Sequence, residues 1–122
     1  MSKMRGIRGA TTSESNSVED VSEATSVLLN EILSRNSIMA DDIAAALFST
    51  TDDLNSMYPA SVARVSLGWE HVALMDVQQA KVQNEVALCI RVLLLINTDK
   101  DAKDLNNVYL KGAVGLRDNN DC

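Results

Sequence analysis

Two arginines sit where the hydropathy pattern demands buried strands. Arg91 is the third residue of "CIRVLLLINT", Cys89 to Thr98, and Arg8 lies between Gly6 and Gly9 in "MRGIRGATT", Met4 to Thr12. A guanidinium cannot shed its charge, so burying one requires a counter-charge. That partner is either one of the chain's 17 acidic residues, in a structural ion pair, or the carboxylate of a ligand. The Arg91 strand alone favours the ion pair. A second strand arginine, flanked by glycines whose missing side chains leave room beside it, shifts the balance toward an anion pocket. Arg64, Tyr109 and Arg117 are further candidates, because guanidinium forks and a phenol match carboxylate oxygens. Each taken alone reads as a solvated surface residue. The single histidine, His71, has no nucleophile or acid at catalytic spacing, and neither a phosphate-cradling loop nor a metal-ligand motif is present. The chemistry left open needs no nucleophile, metal or cofactor, only arginines and placed hydrogen bonds acting on a polyanionic small molecule.

The elements that must position these residues follow from periodicity. Ser17-Val18-Glu19-Asp20 is a helix start with acids in the first turn, and Val21, Ala24, Leu28 and Ile32 continue at helical spacing to about Arg35. Ile43 to Thr51 reads as a strand ending in a turn at Asp52-Asp53. Pro59 opens a short helix that Gly68 closes. A strand is expected over Trp69 to Met75, a connector over Asp76 to Glu85, the strand Cys89 to Thr98 buried on both faces, and a last extended piece from Asn107. Within Cys89–Thr98, alternation puts Arg91 on the face of Leu93 and Leu95, opposite Ile90, Val92, Leu94 and Ile96. This order indicates an α+β or α/β domain with a mixed sheet covered by helices, spanning 1–117, with a frayed tail over 118–122.

Composition sets the remaining bounds. A chain of 122 residues, 46% hydrophobic, suits one core, and strands this apolar in so short a chain suggest that neighbouring copies cover part of the sheet. A net charge of -6 argues against a sequence-independent grip on nucleic acid or an anionic membrane. The longest apolar run, Ile90 to Ile96 broken by Arg91, is far too short for a transmembrane helix and no signal peptide is evident, so a cytoplasmic location is expected. Cys89 is most simply a small core residue.

Four blocks, "RGIRGATT" at Arg5 to Thr12, "YPASVARVSLGW" at Tyr58 to Trp69, "CIRVLLLINTD" at Cys89 to Asp99 and "VYLKGAVGLR" at Val108 to Arg117, occur in order along nearly the whole chain. Together they resemble the monofunctional AroH-class chorismate mutases. The resemblance implies an α+β homotrimer whose sheets pack into a pseudo-α/β barrel, with sites in the clefts between subunits. It implies conversion of chorismate to prephenate, toward phenylalanine and tyrosine, with no cofactor or metal. It further implies that Arg91 lies beside the breaking ether bond, that Arg8 and Tyr109 hold a substrate carboxylate, and that Arg64 and Arg117 help capture the substrate at the rim. From the facing subunit, Tyr58 and Ala60 would line the ring, with Leu74 and Met75 as a wall; Leu116 would pack at the mouth.

The chain departs from the family pattern in "MDVQQAKV". Gln79 stands where the family has a glutamate, and Asp76 where a small neutral cysteine is common. One reading is that the anion has moved, with Asp76 reaching in from the facing subunit and Gln79 keeping a hydrogen-bonding role. The other is that Asp76 points to solvent and the site is weakened. The stretch after Gln79 also lacks the family's usual glycines, and Tyr58 replaces a phenylalanine. The lost glutamate leaves an alternative function open: a non-catalytic trimer binding chorismate, prephenate or a similar dicarboxylate.

Overall fold

The computed structural model describes residues 2–116. Five strands form one mixed sheet: β1 (Lys3–Thr12), β2 (Ile43–Thr50), β3 (Ala73–Gln78), β4 (Cys89–Thr98) and β5 (Val108–Tyr109), in the spatial order β3-β2-β4-β1-β5. β4 is antiparallel to both neighbours, β1 and β2, while β2 pairs β3 and β1 pairs β5 in parallel.

The long helix α1 (Val18–Asn36) covers one face of the sheet. It starts where Ser17, in extended conformation, accepts the Asp20 N–H at 3.1 Å, and it ends at Ser37 in the left-handed region. Its buried residues Val21, Ala24, Leu28, Leu29 and Ile32 keep the helical spacing read from the sequence. Beneath them lie Ile7 of β1, Ala46 and Phe48 of β2 and Val92, Leu94 and Ile96 of β4, which form the main core.

Gly9 permits the closest approach between helix and sheet. A β-carbon there would lie 2.6 Å from Ile32 Cδ1 and 3.3 Å from Leu28 Cδ1. The space that glycine frees at this position is filled by the helix, rather than being kept for a ligand as the sequence suggested. Ile32 is fully buried among the core side chains, so its Cδ1 can yield only by displacing them. Gly9→Ala is therefore expected to destabilise the fold by about 1–3 kcal/mol, read as a lower urea midpoint at unchanged slope.

Two further expectations are corrected. β4 is sealed along one face by Ile90, Val92, Leu94 and Ile96, whereas on the other face Cys89 at its start is fully buried but Arg91 and Leu95 are half-buried and Leu93 is 37% exposed. The third strand begins at Ala73, not Trp69, and runs to Gln78 through the expected connector. Trp69 is buried in a turn instead: its N–H donates to the Ala63 carbonyl at 3.0 Å, closing a π-helical turn (Val62–Ser66) that continues the short helix α2 (Pro59–Ser61). Gly68 supplies the positive φ of 73° that ends this segment. The last extended piece is only two residues long and gives way to a 3₁₀ turn at Lys111–Ala113. No described helix is long and apolar enough to cross a membrane.

Candidate active site

The face of the sheet turned away from α1 carries the chemistry. Residues opposed in register point to the same side. Tyr109 of β5, Ala10 of β1, Arg91 of β4, Ser49 of β2 and Val77 of β3 thus form one row across all five strands. In a second row, Arg8 stands beside Leu93, Leu47 and Met75. Arg8, Arg91 and Tyr109 border a common cavity of about 330 Å³, whose remaining wall is largely apolar and includes Leu47, Leu93 and Val77. All three polar residues are half-buried. Two positive charges against an apolar wall are attractive to an anion, because the low-dielectric surroundings strengthen each contact.

Gln79, just past the end of β3, lines an adjoining cavity of about 520 Å³ together with Arg91 and Leu116. Its Oε1 is shut off from solvent and has no hydrogen-bond partner among the described residues. Leu116 is 1% exposed and packs against Ala10, Cys89 and Ala113 beside Tyr109, closing that end of the site. Cys89 is fully buried there. Arg117 and the tail 118–122 lie outside the described residues.

Of the other expected residues, Met75 shares the open face with Arg8 in the second row, and the rest gather elsewhere. Asp76 pairs in register with Phe48, so its side chain leaves β3 on the helix side, opposite to Arg91. Its carboxylate accepts the Ala60 N–H at 3.2 Å, at the start of α2. With Tyr58 and Ser61 it borders a separate cavity of about 740 Å³. Tyr58 is 70% exposed and Met75 59%, whereas Ala60 is buried and Leu74 packs against the core behind them. Arg64 is exposed on the π turn, with Nη2 donating weakly to Ser61 Oγ at 3.4 Å. Within one chain, therefore, the arginine and tyrosine cluster and the Tyr58–Asp76 cluster line different cavities.

Burial pushes the Asp76 carboxyl above its ordinary value, only partly offset by the Ala60 N–H and the Arg64 charge. A carboxyl with a raised folded-state pKa binds its proton more tightly when folded, so stability drops as pH rises through the range between the unfolded and folded values.

Sequence reasoning missed the apolar half of the site. Leu47, Ser49 and Val77 enter it through the β2 and β3 registers, which the sequence of a single strand does not specify. Alternation along "IAAALFST" could have placed Leu47 and Ser49 on one face, but not which face.

A small, largely apolar cavity with paired guanidinium groups and a phenol defines a protein that takes a small organic polyanion. Comparison with known proteins makes this specific. The family model for chorismate mutase type I matches residues 4–120. The chain is 36% identical over 114 residues to chorismate mutase AroH of Bacillus subtilis (strain 168), covering 93% of this chain and 90% of that protein. It is 40% identical over 115 residues to chorismate mutase AroH of Thermus thermophilus, covering 93% of each. The solved chorismate mutase from Clostridium thermocellum superposes with a TM-score of 0.87 at 41% identity, over 89% of this chain and 96% of that one. The chain belongs to the type I chorismate mutase family and is an isomerase of aromatic amino acid biosynthesis that converts chorismate to prephenate.

Proposed function

We propose that this conversion takes place in clefts between the subunits of a cytoplasmic homotrimer, by conformer selection and electrostatic stabilisation. The observation that carries this reading is the convergence of Arg8, Arg91 and Tyr109, from three adjacent strands, on one cavity of the open sheet face. The rearrangement breaks a C–O bond and forms a C–C bond within one molecule, with no proton lost or gained, so the protein need supply no nucleophile. Arg8 and Tyr109 hold the substrate's side-chain carboxylate in the compact, reactive conformer. The Arg91 guanidinium lies beside the ether oxygen and stabilises the negative charge that develops as its bond breaks. Gln79 takes the substrate hydroxyl on its unused Oε1, and Leu116 closes the mouth. Arg64 and Arg117 capture the dianion at the rim.

Tyr58, Ala60, Leu74, Met75 and Asp76 come from the facing subunit. Two features support this arrangement: the exposed apolar residues Met75, Val77 and Leu93 on the open face, and the separation of the two clusters within one chain. Because Asp76 and Arg91 leave opposite faces of their own sheet, they can meet only across an interface. There Asp76 supplies the negative charge that Gln79 lacks.

The test is the loss of chorismate absorbance with purified protein, the product being identified as prephenate. Asp76→Asn should lower kcat at least tenfold, on the order of one removed charge-assisted contact, whereas Glu70→Gln and Glu85→Gln should change it little. Equal, small effects in all three would remove Asp76 from the site. Absence of turnover in the parent would overturn the reading as a whole.

A further inference from the structure

We infer that Asn107 is a positioning residue for Arg8, a role that rests on Arg8 holding the substrate carboxylate. The β1–β5 ladder contains only two register pairs, Gly9 with Val108 and Ala10 with Tyr109. On the far side of this ladder the Ala10 carbonyl accepts the Leu110 N–H at 2.9 Å. One step earlier, where a continued ladder would pair Arg8 with residue 107, the Arg8 N–H donates instead to the Asn107 side chain, Oδ1, at 2.8 Å. A side-chain amide thus extends the pairing of β1 to the residue whose guanidinium enters the cavity.

Asn107 is itself held. Asn36, at the C-terminal end of α1 and 1% exposed, accepts the Asn106 N–H on Oδ1 at 2.7 Å. It donates through Nδ2 to the Asn106 and Ile32 carbonyls, both at 2.9 Å. The neighbouring residue is therefore clamped to a rigid helix on one side, while Asn107 clamps Arg8 on the other. Tyr109 follows two residues later, as the last residue of β5. One link thereby fixes the spacing of the two groups that grip the same carboxylate, although Asn107 borders neither cavity of the site.

Asn107 is exposed, so its loss leaves the Arg8 N–H free to bond water, and stability should change little. The cost appears as looser placement of Arg8, which binds substrate and transition state alike and so registers in KM rather than kcat. Asn107→Ala is expected to raise KM for chorismate about fivefold, as for one net hydrogen bond, with kcat within about twofold and an unchanged melting temperature. Arg8→Ala should raise KM further, and adding Asn107→Ala to it should raise KM no more, because the two act through one group. If Arg8→Ala raises KM and Asn107→Ala does not, or if the two effects simply add, the positioning role falls while the site reading stands. A lower melting temperature with equal losses in kcat and KM would make Asn107 merely structural. An Arg8→Ala variant with parental KM would overturn the site reading and the positioning role together.

Discussion

Arg91→Ala is expected to abolish most of the catalysis, lowering kcat about a thousandfold while the protein stays folded. Arg91 sits in the middle strand of the five, in a row that crosses the whole sheet. Its backbone is locked by neighbours on both sides, with Ala10 on β1 and Ser49 on β2, so the guanidinium is delivered to a fixed place before substrate arrives. Such preorganisation is what makes a charge effective in a transition state: water would have to reorient, and a braced side chain does not. Arg91→Lys keeps the charge but loses the planar fork, and should restore only a small part of the rate. The fold should survive either change, since the buried side of β4 is untouched. Circular dichroism alongside the chorismate assay checks both points, and a folded Arg91→Ala protein with more than about a tenth of the parental kcat would contradict the role.

The second large effect is a gain of activity from two inactive chains. Arg91→Ala disables the arginine half of the site; Tyr58→Glu, at a residue 70% exposed, disables the facing half by setting a negative charge against a dianionic substrate. Each variant alone should show almost no turnover. Mixed in equal amounts, unfolded and refolded together, they should recover roughly one quarter of the parental activity, because in random closed oligomers each cleft has about one chance in four of drawing an intact half from both neighbours. Recovery shows that each site is shared. If the mixture stays as inactive as its components, both halves must belong to one chain, and the inter-subunit cleft is wrong.

Much of this was legible in the residues, for reasons that differ between elements. α1 could be read closely because its cap, its acids and its apolar spacing agree, and β4 because its apolar run is continuous, although the run's uniformity hid that one of its faces is partly open. β3 was misplaced because it is an edge strand. Its polar residues, Asp76 and Gln78, broke the expected pattern, while Trp69 drew the boundary forward by a hydrophobicity that serves a turn. In the site, the arginines stood out because charge within an apolar run is conspicuous. Leu47, Val77 and Asn107 did not, since their roles depend on which strand lies beside which, and on a contact spanning 99 positions of sequence.

The row Arg8–Leu93–Leu47–Met75 also bears on how this enzyme can change over evolutionary time. In the proposed assembly one end of the row touches substrate and the other offers apolar surface to a neighbour, with no hinge or linker between. A substitution at Leu47 that merely loosens assembly would therefore also shift the wall facing the guanidinium, and a survey of variants would score it as an active-site lesion. Under that assembly, binding pocket and quaternary contact are one heritable trait in this sheet, so selection on either one constrains the other.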